Sequence, residues 1–376
     1  MINKKEKVIK RNYGIDLLRI ISMINIINLH INLFSGQLSL KFNSPKYKQI
    51  LRLQAFSCWS VNGFGLISGI VGYKRYKFSN LMYIWFLVSF YSVSISLYLY
   101  FINEEKTKMS LILSFFPILI KRHWYVNAYF SMYLLLPFIN DGIKSLNNKI
   151  YRNLIIFFIC FYSIYNIFAI ILGKKNTFFL LRGYSGMWLT LLYIIGAYLG
   201  KYIIEIENKL NAFHYIFYIS IYICSSFISS ETHFKLLTIK SKIPNKILIN
   251  YLSPTMILQA ISLIMFFSKL KIQNQKLAKI ISFLTPLNFS AQLIHSRLFR
   301  TKLKTKIMLF KWVNSYNNNK IFFKIYGTSI IIYLLCIFID YFRLILFKLT
   351  KIRELCLFIE RKAPQFIDNL ILNKSK

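Results

Sequence analysis

Between residues 14 and 347 the chain returns repeatedly to apolar runs of about twenty residues, and this repetition constrains the fold more than any single motif. A helix rises about 1.5 Å per residue, so roughly 20 apolar residues cross the ~30 Å hydrocarbon layer of a bilayer. Runs near 14–34, 54–73, 80–101, 124–140, 151–172, 184–204, 211–230, 247–268, 280–297 and 322–347 predict an all-α, polytopic transmembrane helical bundle of about ten spans. The segment "MSLILSFFPILI" (109–120) is too short to cross and is interrupted by Pro117, so it is expected to be interfacial or re-entrant. An eleventh span at this place is the competing count.

Composition agrees with a bilayer solvent. The chain is 56% hydrophobic and 18% aromatic, with a mean hydropathy of +0.48, too apolar for a soluble domain of 376 residues. The net charge of +37, from 49 Lys and Arg against 12 Asp and Glu, raises nucleic acid as a partner. Placement argues against it. The cations sit in short groups between apolar runs, as in "KKEKVIKR" (4–11), "KRYK" (74–77), "KSKIPNK" (240–246) and "KLTKIREL" (348–355). Such groups anchor helix ends among anionic lipid headgroups, and no basic patch is interleaved with a soluble stacking platform. The expected partners are therefore membrane lipids and no nucleic acid.

Counting Lys and Arg near the spans places the N-terminal group, "KRYK", 144–152 and "KLKIQNQK" (269–276) on one side, the cytoplasmic one, with both termini inside. The basic loop "RTKLKTKIMLFKW" (300–312) then falls outside, against the trend. The basic N-terminus followed by an apolar run resembles a secretory signal, but Asn25, Asn28 and His30 break the run and further spans follow, so an uncleaved first helix is expected. Five scattered cysteines without CxxC spacing indicate neither a disulfide framework nor a zinc site. With no internal repeat and no long hydrophilic stretch, residues 1–376 read as a single integral-membrane domain.

The first span carries groups that are expensive in lipid. At about 100° per residue, the eleven steps from Arg19 to His30 make about three full turns, and Asp16 lies one turn before Arg19. All three project from one helix face, with Arg19 and His30 roughly 16 Å apart along the axis. A shared face can point into the bundle, where ionisable groups find partners or water. Asp16 and Arg19 read either as an interfacial ion pair fixing the start of the helix or as functional groups. His30 reads as a histidine satisfied by a neighbouring helix or as a base, since imidazole is the side chain best suited to take a proton from a hydroxyl near neutral pH.

These residues carry a resemblance. "RNYGIDLLRIISMINIINLH" (11–30) is similar to the first-helix motif of the third acyltransferase family, membrane-embedded bacterial enzymes that acylate cell-surface carbohydrates, with Arg11, Asp16, Arg19 and His30 at the corresponding positions. "VNGFGLISGIVGY" (61–73), "HWYVNAYFSMYLLLPFIN" (123–140), "GYSGMWLTLLYIIGAYLG" (183–200), "YLSPTMILQAISLIMFFSKL" (251–270) and "LTPLNFSAQLIHSRL" (284–298) resemble later family segments in the same order. Six ordered matches cover roughly residues 11–300, and their detail is similar to the capsule and exopolysaccharide branch. One departure stands out. Many members carry an arginine-rich run after the second span, whereas "YKRYKFSN" (73–80) holds only Arg75 flanked by lysines, which supply charge without the planar bidentate fork.

The resemblance implies O-acyl transfer, most simply of acetyl from acetyl-CoA, to a hydroxyl of a surface glycan or its lipid-linked precursor in the bacterial cytoplasmic membrane, alongside other polysaccharide-assembly proteins. Arg11, Arg19 and Arg75 are the candidates for the CoA phosphates through charge-assisted hydrogen bonds, with Asp16 orienting Arg19. His30 is the candidate base, or the residue that transiently carries the acyl group. Asn62, Ser68, Tyr184 and Ser185 are candidates for donors to the oxyanion or contacts to the acceptor. Trp124 reads as a sugar-stacking or a membrane-belt aromatic. His295, ending "QLIH", is left between binding acceptor, relaying a proton and capping its helix. With neither HExxH nor paired carboxylates, a metal-independent reaction is expected, and without Gly-x-Ser-x-Gly no serine-hydrolase mechanism is supported. The alternative class is a transporter, flippase or polymerase of surface-polysaccharide assembly. Transporters often show repeats, and a polymerase is expected to carry a large external loop.

Overall fold

The computed structural model describes residues 11–34, 45–73, 76–103, 108–119, 123–174, 177–207, 213–240, 243–244, 246–301, 308, 311–312 and 320–362. All regular structure among them is helical: α1 (Tyr13–Phe34), α2 (Pro45–Ser57), α3 (Ser60–Gly72), α4 (Phe78–Phe101), α5 (Lys108–Leu113), α6 (Trp124–Ser145), α7 (Asn148–Ile171), α8 (Gly186–Glu207), α9 (Phe213–Thr238), α10 (Pro254–Ser268), α11 (Gln275–Leu284), α12 (Asn288–Thr301), α13 (Ile321–Leu349) and α14 (352–362). Seven stretches are long and apolar enough to cross a membrane: α1, α2 with α3, α4, α7, α9, α11 with α12, and α13. Together with α6, α8 and α10 they account for the ten segments expected from the sequence. The short α5, followed by turns through Pro117, fits the expected non-crossing element.

The first helix is the hub of the bundle. It packs against α2, α3, α10, α11, α12 and α13, so apolar and polar residues are buried around most of its circumference. A buried polar group must find a partner, and α1 finds them on other helices. Asn28 donates to Ser57 Oγ at 2.7 Å, and Asn25 accepts from Tyr326 at 2.6 Å. Hydrogen bonds of this kind fasten transmembrane helices where lipid supplies no hydrophobic drive between them.

Small residues supply the second fastening. Gly65 and Gly69 on α3 meet α8, and Gly196 and Gly200 on α8 meet α3, each pair at four-residue spacing, so the two backbones come into direct contact. A Cβ on Gly196 would lie 1.9 Å from the Leu66 carbonyl oxygen, and one on Gly69 would lie 2.0 Å from that of Tyr193. Between α4 and α13 the fastening is made by two tyrosines of α4 that bond an ion pair within α13. Arg343 and Asp340, both buried, pair at 2.5 Å, with Tyr91 donating to Asp340 at 2.5 Å and Tyr83 accepting from Arg343 at 3.0 Å. Intramembrane charges are tolerated when they pair in this way.

The structure departs from the eighth expected span. The apolar run 247–268 is helical only from Pro254, and 246–253 is a chain of turns. Proline lacks an N–H and suits the first helical turn, while side chains satisfy the irregular backbone before it. Asn250 Oδ1 accepts from Leu252 N, Ser253 Oγ donates to the Ile247 carbonyl, and Thr255 Oγ1 donates to that of Leu248. A π-turn in α7, Cys160–Ile164, brings Ser163 to donate to the Leu252 carbonyl at 2.5 Å. Non-helical backbone at membrane depth survives where it is buried in protein or lines a cavity. This segment lines the cavity described next.

Candidate active site

The two ends of α1 hold two different polar constellations. At its start, Asn12 Oδ1 accepts from Ile15 N at 3.1 Å, an N-cap, while its Nδ2 donates to the Ser268 carbonyl at the end of α10. Asp16, buried to 5% exposure, accepts from Arg11 Nε at 2.6 Å and from Arg19 Nη1 at 2.8 Å. A carboxylate in the first turn also suits the positive end of the helix dipole. Asn288 Nδ2 donates to the Arg19 carbonyl at 2.9 Å, tying α12 to the same turn. The ion pair expected of Asp16 and Arg19 is therefore a triad with Arg11. It neutralises one of two guanidinium charges and leaves Arg19 about a quarter exposed.

About 16 Å further along α1, His30 lines a cavity of about 560 Å³ enclosed by α1, α2, α3, α6, α7, α12, the loop around 182–184 and the irregular segment 246–252. Its Nδ1 lies 2.8 Å from Nε2 of His295 on α12. Nδ1 of His295 lies 2.5 Å from the Ala291 carbonyl oxygen one turn earlier. A carbonyl only accepts, so His295 Nδ1 carries the hydrogen. In the neutral ring Nε2 is then the acceptor, and His30 donates to it from its own Nδ1. The remaining nitrogen of His30, Nε2, thereby becomes the basic one. The histidine pair fixes a tautomer as well as a ring orientation. His295 itself is buried to 1% exposure behind His30.

An aromatic group forms another wall. Trp124 at the start of α6 lies 4.5 Å, centroid to centroid, from Tyr184 and 6.1 Å from a nearly parallel Tyr251, with Tyr184 and Tyr251 5.0 Å apart. All three line the cavity. On the facing helices, Gln54 and Gln292 also line it, each leaving its amide oxygen buried without a hydrogen-bond partner. The cavity floor reaches Met23 on α1, one turn from Arg19.

Of the residues singled out from the sequence, the structure brings His30, Trp124 and Tyr184 together at this cavity, with His295 buried directly behind His30. Arg11, Asp16 and Arg19 form the separate cluster at the start of α1. Three others have their polar groups engaged in packing. Ser68 Oγ donates to the Phe64 carbonyl of its own helix, Asn62 bridges the Tyr251 carbonyl and Trp188 Nε1, and Ser185 Oγ accepts from Trp188 N. Asn62 nonetheless shapes the site, because it holds Tyr251 in place. Arg75 lies outside the described residues. Gln54, Gln292 and Tyr251 escaped the sequence reading. Gln292 carried a signal, since it sits one helical turn before His295 on the same face. Among the described residues no group of three His, Cys, Asp or Glu could hold a metal ion.

A multi-pass membrane bundle enclosing a cavity with a hydrogen-bonded imidazole pair has the equipment for proton transfer within the bilayer. A family model described as an acyltransferase domain matches residues 12–341, and the chain belongs to this third family of acyltransferases. It is accordingly a multi-pass membrane acyltransferase. No curated protein and no solved structure matches it.

Proposed function

We propose that the protein is an O-acyltransferase of the bacterial cytoplasmic membrane that moves an acyl group, most simply acetyl, from acyl-CoA to a hydroxyl of a cell-surface polysaccharide or of its lipid-linked precursor. The observation that carries this reading is the Ala291–His295–His30 chain of hydrogen bonds ending at the cavity. A sugar hydroxyl is a poor nucleophile until its proton is removed. His30 Nε2 takes that proton as the hydroxyl oxygen bonds to the thioester carbonyl carbon. His295 accepts the hydrogen bond from Nδ1 and so supports the positive charge that develops on the His30 ring. Collapse of the tetrahedral oxyanion breaks the carbon–sulfur bond, and the departing thiolate recovers the proton from His30.

Arg11 and Arg19 are the cations offered to the CoA phosphates, with Asp16 orienting both, and Arg75 is the third cation of the proposal. The roughly 16 Å between Arg19 and His30 suits the extended pantetheine arm that separates the phosphates of CoA from its thioester. Trp124 and Tyr184 offer faces on which a sugar ring can stack.

The test is acetyl-CoA-dependent labelling of glycan in membranes holding equal amounts of wild-type protein and His30→Ala. The variant is expected to insert normally and to lose acylation; full residual activity would remove His30 from the reaction. In cells lacking the gene, NMR of purified polysaccharide should show loss of acetyl signals with chain length preserved. Loss of the polymer altogether would instead favour export or polymerisation.

A further inference from the structure

The cavity carries a feature that the acyl-transfer chemistry does not require. Three cations, Lys174 after α7, Arg182 and Lys246, line it together with His30, and among the described residues no Asp or Glu lines it. All three side chains are exposed, and none forms an ion pair among the described residues. They come from three separate segments, so the convergence is tertiary and not one basic run. Lys246 lies within electrostatic reach of Cys58, which also lines the cavity, and Arg182 within reach of Tyr184 of the aromatic wall. Arg182 is held at its place by backbone in the left-handed region, with φ of 58° and with Leu181 at 51°. Non-glycine residues adopt that region only at a steric cost, which the surrounding structure must offset.

We infer that this mouth is the acceptor subsite and that the acceptor sugar is anionic, carrying a carboxylate or a phosphate. The inference rests on the acyl-transfer reading above and names the substrate class for the same site. Aromatic faces recognise the sugar ring, and the buried amides of Gln54 and Gln292 suit its hydroxyls. The three cations recognise the charge, because unpaired positive groups around a low-dielectric cavity concentrate anions from solution. The donor phosphates are the competing source of negative charge. Their proposed cluster, Arg11 with Arg19, lies at the opposite end of α1 from His30, so the mouth is left to the acceptor.

The experiment uses the full-length protein in nanodiscs and reads tryptophan fluorescence, Trp124 being part of the aromatic wall. The probes are a glucuronate-containing hexasaccharide, the same hexasaccharide with its carboxylates reduced to alcohols, a sugar phosphate, and CoA. The carboxylated or the phosphorylated sugar is expected to bind at least about tenfold more tightly than the reduced hexasaccharide, with a preference that fades as salt rises. Which of the two wins identifies the anionic group. In the combined variant Lys174→Gln, Arg182→Gln, Lys246→Gln, that preference should vanish while CoA affinity stays unchanged. Equal binding of charged and reduced sugars by the wild type, no binding of either anionic sugar, or a variant that loses CoA affinity and keeps the sugar preference would each overturn the inference. The two proposals fail separately. Full activity of His30→Ala removes His30 as the base of the transfer, whereas an inactive His30→Ala beside a combined variant with wild-type sugar preference removes only the anionic subsite.

Discussion

Replacing His295 with phenylalanine tests the imidazole pair most directly. The ring keeps its place in a buried position, but the 2.8 Å hydrogen bond to His30 is lost. His30 Nδ1–H is then left without that acceptor, and its tautomer and orientation are no longer set from behind. Leaving a partly buried donor without its partner costs up to about 1–3 kcal/mol. At about 1.4 kcal/mol per factor of ten, kcat should fall about 5- to 150-fold. KM for acyl-CoA should hold, because His295 does not line the cavity. Losing the base itself, in His30→Ala, should cost about 10²- to 10⁴-fold. Residues that act as one unit are not additive. The double variant should therefore be no slower than His30→Ala alone. Initial rates of labelled acyl transfer by the four proteins in proteoliposomes complete the cycle. Unchanged kcat in His295→Phe, or two losses that multiply in the double variant, would refute the argument that His295 works through His30.

Three further outcomes follow from the packing. Gly196→Val places side-chain atoms against the Leu66 carbonyl, where a Cβ alone would come within 1.9 Å; overpacking of this kind costs about 1–3 kcal/mol or more, so purified protein should show a lower Tm, and a wild-type melting curve would refute the close contact of α3 and α8. Asp340→Ala strands the buried Arg343, a loss of about 3–5 kcal/mol; thermal unfolding in detergent should reveal it, and Asp340→Ala with Arg343→Leu should recover most of it. Glu360 on α14 accepts from the Ser79 amide at 3.2 Å. Burial works against its charge, but the hydrogen bonds from Ser79 and Phe78 and the nearby Lys77 hold its carboxyl below the usual glutamate value. A depressed folded-state value means that this contact is fully present above the unfolded-state pKa and is lost as pH falls through the folded one. Limited proteolysis near 352–362 should therefore speed up only below about pH 4, and the Glu360→Gln protein should lack that step.

How much of the protein was legible in advance differs from element to element. The crossing helices are readable because the bilayer imposes one length and one polarity on each, a constraint local to about twenty residues. For the same reason Asp16, Arg19 and His30 stand out: helical periodicity places them on one face, and lipid makes such residues conspicuous. The broken run 247–268 misled the length argument, because hydropathy registers apolar side chains and not whether Asn250, Ser253 and Thr255 bind the backbone in turns.

What the sequence by itself determined is the class of solvent, the helical architecture and the stripe on α1, because each follows from residues close together in the chain. Only the tertiary structure decided that His295, 265 positions away, faces His30. It alone also decided that Asn62, Ser68 and Ser185 are engaged in packing, and that Lys174, Arg182 and Lys246 meet around one cavity. Those pairings depend on which helices neighbour one another. In a membrane that choice is set by glycine contacts and interhelical hydrogen bonds, whose partners lie far apart along the chain.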